Sequence, residues 1–166
     1  MKLPPSARTA VCPGSYDPVT LGHVDVIRRA AGLFDRVVVG VVRKPRHKIP
    51  HFELEERIGF LRESLADVEN VVVAGFSGLV VEFAHEWGAC ALVKGLRAVS
   101  DYEWELQMSH LNRVQAPEIE TVWIPASPEY SFVSSSGVKE IASFGGAIEK
   151  FVPPAVVRAF AGRVAT

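Results

Sequence analysis

The sequence predicts an α/β fold, a parallel sheet with helices on both faces. Three observations predict it. Short β-branched runs alternate with longer amphipathic segments along the chain. The short runs are apolar almost throughout, as in strands covered on both faces rather than one. No linker, repeat or low-complexity tract breaks the alternation. Strands spaced in this way join through right-handed helical crossovers. The length of 166 residues fits one domain over residues 1–166.

Thr9-Ala10-Val11-Cys12, just before Pro13, is the first strand. Residues 22–34 form the first helix, with Val24, Ile27, Ala31 and Phe34 at helical spacing. Val37-Val38-Val39-Gly40-Val41-Val42 is the second strand. Residues 53–65 follow as a helix, with Leu54, Ile58, Leu61 and Leu65 on its apolar face. Val71-Val72-Val73-Ala74 is the third strand and residues 79–87 the third helix. Cys90-Ala91-Leu92-Val93, a helix over 101–114 and Thr121-Val122-Trp123-Ile124 continue the pattern. Helices over 137–144 and 154–160 close it. Residues 1–7 carry no apolar run behind Lys2, so they read as a frayed end and not as a signal peptide.

Composition excludes several classes. Eighteen Lys and Arg against nineteen Asp and Glu give a net charge of −1, which argues against a dedicated nucleic-acid binder. No run approaches the ~18 apolar residues that span a bilayer. Cys12 and Cys90 lie far apart in apolar runs, which excludes a disulfide framework and a cysteine zinc site. Both read as reduced core residues of a cytoplasmic protein.

Two segments could carry chemistry. Pro13-Gly14-Ser15-Tyr16-Asp17-Pro18-Val19-Thr20-Leu21-Gly22-His23 leaves the first strand and opens the first helix. Free N–H groups at a helix start attract phosphate, and Gly14 and Gly22 would let the backbone approach a ligand. It is neither a G-x-G-x-x-G turn nor a P-loop. It also reads as a plain tight turn in which His23 caps or packs, with Asp17 holding the turn through local hydrogen bonds. The second segment is Phe132-Val133-Ser134-Ser135-Ser136-Gly137-Val138-Lys139, three serines at a helix start. They read as a phosphate cradle or as an N-cap with spare hydroxyls. A third stretch, residues 43–50, holds Arg43, Lys44, Arg46 and Lys48 beyond the second strand, at the sheet edge where α/β proteins bind ligands. A solvated loop is its plainer reading.

Thr20-Leu21-Gly22-His23 resembles the (T/H)-x-G-H signature of the nucleotidyltransferase superfamily, and the serine segment resembles its late I-S-S-S/T-x-(V/I)-(R/K) motif. Residues 94–108, Lys94-Gly95-Leu96-Arg97-Ala98-Val99-Ser100-Asp101-Tyr102-Glu103-Trp104-Glu105-Leu106-Gln107-Met108, are similar to the (R/K)-G-L-R-x-x-x-D-(F/Y)-E-(Y/W)-E-x-Q-(L/M) block of bacterial phosphopantetheine adenylyltransferases. The opening P-G-(S/T)-(F/Y)-D-P-(V/I)-T and the segment from Tyr130 to Ser136 match that family too. The resemblance covers residues 10–157. It implies a Rossmann-like sheet of nucleotidyltransferase type.

It also implies the activity: ATP and 4′-phosphopantetheine give dephospho-coenzyme A and pyrophosphate. Implied at phosphopantetheine are Ser15, Lys48, Val80 and Lys94. Implied at ATP are Ser15, Tyr16, His23, Gly95, Leu96, Arg97, Glu105, Tyr130, Ser131, Phe132, Val133, Ser134, Ser135 and Ser136. His23, Lys48 and Lys94 take the catalytic positions. The resemblance further implies Mg²⁺ held mainly by ATP phosphates, coenzyme A as a feedback ligand, and a homohexamer built as a dimer of trimers. Three departures stand out. Lys94 replaces a frequent Arg, the loop before Lys48 is one residue longer so that Lys44 or Arg46 competes for its role, and Gly137 replaces a larger residue.

Other readings remain at this stage. One is a nucleotidyltransferase with a different acceptor, such as nicotinamide mononucleotide or a phosphocholine-like group. Another is a non-catalytic nucleotide sensor. His47, His51, His85 and His110 follow no metal spacing, and Trp87, Trp104 and Trp123 read as core or interface. On the 101–114 helix, Tyr102 and Glu105 are expected to share a face, with Trp104 pointing elsewhere.

Overall fold

The computed structural model describes residues 8–45 and 49–164, so the expectation for residues 1–7 lies outside the described residues. The strands are β1 (Thr9–Gly14), β2 (Arg36–Val42), β3 (Val71–Phe76), β4 (Ala89–Leu96) and β5 (Glu120–Pro125). The helices are α1 (Leu21–Ala31), α2 (Leu54–Ser64), α3 (Val80–Glu86), α4 (Val99–Gln115), α5 (Ser135–Ser143) and α6 (Pro154–Val164). The five strands form one parallel sheet in the order β3-β2-β1-β4-β5.

Alternation along the strands splits the core into two layers. Ala10, Cys12, Val37, Val39, Val41 and Val93 join α1, α2, α5 and α6 on one face. Val11, Val38 and Leu92 meet Val81, Phe83 and Ala84 of α3 on the other. Strands buried on both sides need apolar residues at every position, which is why these runs do not alternate in sequence. No described helix is long and apolar enough to cross a membrane.

The strand order reverses between β1 and β4. β1 pairs with β4 only from Thr9↔Ala89 to Val11↔Leu92. Beyond that point β1 follows β2 as far as Gly14↔Val41, and β4 follows β5 as far as Leu96↔Pro125. The sheet therefore splits at its carboxyl edge, at the topological switch point where open α/β sheets hold their ligands. The split also explains how β1 continues through Pro13, where the sequence suggests a stop. A proline cannot donate to a ladder on both sides, and past Val11 only one neighbour remains.

Two expectations about packing change. Cys12 is buried, but Cys90 is exposed, because the register shifts there: Thr9 lies opposite Ala89 and Ala10 opposite Ala91, which leaves Cys90 as the extra residue of a bulge, its Sγ 3.5 Å from the Thr9 carbonyl. Trp104 is not core: it is 63% exposed.

Candidate active site

A cavity of about 590 Å³ fills the split between β1 and β4. Its walls are the ends of both strands (Cys12, Pro13, Gly14; Val93, Lys94, Gly95), the turn into α1, the first turns of α4, and the start of α5. A second cavity of about 230 Å³ adjoins it, with Val42, Phe76, Val80, Leu92 and Met108 among its lining. Pro13, Gly14, Ser15, Lys94, Trp104 and Glu105 line both.

His23 is positioned by the helix it begins. Thr20 is the N-cap, and its Oγ1 accepts from the His23 backbone N–H at 3.3 Å. The Thr20 backbone N–H donates back to His23 Nδ1 at 3.0 Å. This reciprocal cap is a capping box with an imidazole in the place usually held by Glu or Gln. Because Nδ1 accepts, the neutral ring carries its proton on Nε2. Nε2–H has no hydrogen-bond partner among the described residues, and His23 lines the cavity. Burial, and then the positive charges of Arg97 and Lys94, lower its pKa from 6.5 to about 4. The site thus presents an uncharged donor.

The turn between β1 and α1 is held from below. Tyr16 has a left-handed backbone at φ 49°, and its hydroxyl donates to the Cys12 carbonyl at 2.9 Å. Its ring meets His23 edge-on at 5.1 Å. Tyr16 therefore offers the cavity its ring and backbone, not its hydroxyl. Gly14 makes room for that ring: a Cβ there would sit 2.9 Å from Tyr16 Cε2. At Gly22 a Cβ would come within 3.2 Å of Tyr130 Cβ. Both glycines thus make room for a tyrosine, and both also line the cavity. The Asp17–Pro18 peptide is cis.

Asp17 and Arg57 tie the turn to the loop after β2. Asp17 is buried and accepts from the backbone N–H groups of His51 and Phe52, each at 2.8 Å, and from Lys139 Nζ at 3.0 Å. Burial opposes its ionisation, but these donors outweigh it and hold the carboxyl below its ordinary range. Arg57 is fully buried. Its guanidinium donates to the carbonyls of Phe52, Ser15, Val42 and Arg43. Asp17 thus holds the turn through three distant partners, His51, Phe52 and Lys139, and not through the local hydrogen bonds that the sequence suggests. Lys48 and Arg46 lie outside the described residues. The flanks of their loop are what Asp17 and Arg57 grip.

The serine segment does two jobs. Ser134 is the N-cap of α5, accepting from Gly137 N–H at 3.0 Å, and Ser135 Oγ donates to the Pro18 carbonyl at 2.7 Å. Ser136 Oγ has no partner among the described residues. All three line the main cavity with Tyr130 and Val133. Ser131, Phe132 and Leu96 line neither cavity; Phe132 is 72% exposed and meets Phe151 edge-on. Val80 lines only the second cavity.

Cations and carboxylates around the main cavity come in pairs. Lys94 meets Glu105 at 3.2 Å, Arg97 meets Asp101 at 3.1 Å, and Lys139 meets Asp17 at 3.0 Å. Asp101, Trp104 and Lys139 stand in the motifs quoted from the sequence, which assign them no place in the site. The signal for the first two was the helical period: Asp101, Trp104, Glu105, Met108, Ser109 and Asn112 follow the i, i+3, i+4 rule and line the cavities. Tyr102 faces away, edge-on to Trp123 at 5.8 Å. Trp104, not Tyr102, shares the face of Glu105.

Residues 11–141 match the cytidylyltransferase-like family model. A protein named phosphopantetheine adenylyltransferase from Thiobacillus denitrificans is 49% identical over 94% of this chain and 97% of its own length. One of the same name from Deinococcus radiodurans is 55% identical over 88% of this chain and 87% of its own. The chain belongs to the phosphopantetheine adenylyltransferases. Among solved structures, nicotinic acid mononucleotide adenylyltransferase of Plasmodium falciparum, complexed with NaAD, superposes with a TM-score of 0.66, covering 93% of this chain and 96% of its own at 13% identity. That likeness speaks for the nucleotidyltransferase type of the fold. The split of the sheet puts the larger cavity at the carboxyl ends of β1 and β4.

Proposed function

We infer that this chain transfers the adenylyl group of ATP to 4′-phosphopantetheine, releasing pyrophosphate and forming dephospho-coenzyme A. The observation that carries this reading is the pair of adjoining cavities with a common wall at Ser15, Lys94 and Glu105. The larger one offers phosphate donors: the starts of α1 and α5, Ser136, Arg97 and the Nε2–H of His23. The smaller one is lined by Val80, Phe76 and Met108 and suits the slender pantetheine arm. Two substrates that react phosphate to phosphate must meet at such a wall.

The chemistry then needs no protein nucleophile. A phosphate oxygen of phosphopantetheine attacks the α-phosphorus of ATP in line. The new P–O bond forms as the bond to the β-phosphate oxygen breaks, and pyrophosphate leaves with that electron pair. A phosphate monoester is nucleophilic at neutral pH, so no base is required. Catalysis rests on positioning and on charge stabilisation. His23 donates Nε2–H to the transferring phosphoryl group. The acceptor phosphate falls to Lys94 and to Lys48, or to Lys44 or Arg46 in its place. Gly95, Leu96, Arg97, Glu105 and residues 130–136 belong to the nucleotide side, Leu96, Ser131 and Phe132 through the backbone they fix.

Magnesium enters with ATP as part of the substrate. The carboxylates around the cavity, Asp17, Asp101 and Glu105, are each engaged by a cation, and among the described residues no acidic or histidine cluster could hold a metal. Such a donor set suits a cation carried by triphosphate oxygens and water.

The reading extends to a homohexamer, supported by the apolar residues that α4 leaves exposed, Leu111 and Val114. It extends to a cytoplasmic setting and to coenzyme A as a competing ligand, since coenzyme A contains both halves of the product. The test is Mg²⁺-dependent incorporation of labelled pyrophosphate into ATP from dephospho-coenzyme A. Exchange with dephospho-coenzyme A and none with pyridine dinucleotides is expected. The reverse preference would hand the site to a nucleotide acceptor.

A further inference from the structure

Asp101 has no assigned part in the reaction, yet it lines the nucleotide cavity and takes hold of Arg97 at three points. Its Oδ2 accepts from the Arg97 backbone N–H at 3.3 Å and from Nε at 3.1 Å. Its Oδ1 accepts from Nη2 at 3.4 Å. The other arm of the guanidinium, Nη1, donates to the Val133 carbonyl at 2.9 Å. Arg97 is thus bolted between the first turn of α4 and the residue just before the Ser134 cap of α5. A guanidinium has five N–H groups in a rigid plane. Three are engaged here, which leaves one on each Nη for a ligand, in a fixed direction.

We propose that Asp101 is a positioning residue for adenylyl transfer: it fixes the plane of Arg97 so that the two remaining N–H groups meet the nucleotide phosphates, without itself touching the nucleotide. Direct contact of Asp101 with the triphosphate would set negative charge against a polyanion. The neighbouring pair repeats the device, since Glu105 stands four residues along the same helix and holds Lys94. The difference is the chemistry held. Lys94 is a point charge that needs no orientation, whereas Arg97 is a planar fork whose use depends on it.

This inference rests on the adenylyl-transfer reading, and the experiment separates the two. Asp101→Asn keeps the shape and removes the charge. Turnover is expected to fall about ten- to a hundredfold, the range a misplaced group produces. The KM for ATP is expected to stay level or fall, because a released arginine still attracts phosphate. The thermal stabilisation given by ATP alone is expected to persist. Asp101→Glu, which keeps the charge, recovers most of the turnover. In an Arg97→Ala background, Asp101→Asn costs no more than about twofold further, because its effect runs through the missing arginine. Additive losses in that double mutant would overturn the proposal. So would a raised KM for ATP at unchanged turnover, with ATP stabilisation lost, which makes Asp101 a nucleotide contact. A folded wild-type chain without pyrophosphate exchange would sink the adenylyl-transfer reading instead.

Discussion

The two turns that face each other across the split sheet meet the same demand by opposite means. Residues 14–23, after β1, present a neutral group. His23 is locked by a helix cap, its ring rests on a buried tyrosine, and the turn hangs on the buried Asp17 and Arg57. Residues 96–101, after β4, present charge. Arg97 and, on the strand before it, Lys94 are held by carboxylates on the cavity-lining face of α4. A donor that must act on one phosphorus needs a fixed atom in a dry wall. Of the cations that gather two polyanions, Lys94 acts by charge alone, whereas Arg97 is a fork that Asp101 and the Val133 carbonyl hold in one plane. The first turn is built from hydrogen bonds that burial strengthens, the second from ion pairs that solvent weakens.

The comparison is tested hardest at His23. A single donor aimed at charge developing in the transition state is typically worth ~3–4 kcal/mol, or about 10²–10³ in turnover. His23→Ala is therefore expected to fold, to bind ATP nearly as well as the parent, and to turn over a hundredfold or more slowly. Steady-state kinetics with an ATP thermal shift measures both parts. More than about a third of parental turnover would make His23 a packing residue.

Next comes the support beneath that turn. Arg57 carries four carbonyls, from residues 15, 42, 43 and 52. Arg57→Met fills the space and leaves those acceptors in the core without a donor. Each unmet buried group costs about 1–3 kcal/mol, so the loss of stability is expected to reach roughly 3 kcal/mol even after some carbonyls find water. Urea unfolding reads it. A loss below about 1 kcal/mol would mean that the turn is held elsewhere.

At Lys94, across the split, the effect should be smaller and more forgiving. Lys94→Ala is expected to raise the KM for phosphopantetheine about tenfold, the order of a charge-assisted hydrogen bond. Lys94→Arg is expected to restore it, since a lysine held by Glu105 acts by charge and not by shape. If Arg fails to rescue while the chain stays folded, the charge-only account of this side is wrong.

The sheet was legible because its strands are buried on both faces, and burial on both faces writes itself into composition as runs such as residues 37–42. The helices were legible by period. What sequence could not show was who holds whom. Nothing near Asp17 announces that it accepts from His51 and Phe52, and nothing near Arg57 announces four carbonyl partners, because these are contacts across the fold. Cys90 misled for the reverse reason: an apolar run implies a buried strand, but not that each position in it is covered. The imidazole in the capping box sat in view at Thr20 and His23. Its meaning, a proton fixed on Nε2, emerges only once the Thr20 N–H is seen to point at Nδ1.

The mildest effect to measure is also the one that separates the two turns most cleanly, their response to pH. Burial and the charges of Arg97 and Lys94 lower the pKa of His23 from 6.5 to about 4. In the folded chain the ring therefore stays neutral from pH 8 down to about pH 5, and turnover should carry no histidine step there. Stability should respond even where turnover does not. Between pH 6.5 and about 4 the unfolded chain binds a proton at this position that the folded chain refuses. Stability rises with pH wherever the unfolded state holds more protons, so this contribution declines as pH falls through that window and is level above it. Asp17 acts lower down. Its carboxyl is held below the ordinary range despite burial, by the N–H groups of His51 and Phe52 and by Lys139. Its stabilisation is complete above the unfolded value of ~3.9 and is lost as pH drops through the folded one. Nitrogen-15 NMR of labelled histidine is the direct check on the first of these. A His23 ring with its proton on Nε2 and a midpoint near pH 4 upholds the neutral donor. A midpoint near 6.5 would mean that the two turns differ less than their hydrogen bonds imply, with His23 meeting the phosphate as a cation below that pH like its neighbours across the split, whereas a proton on Nδ1 would leave Nε2 an acceptor with nothing to donate to the phosphate.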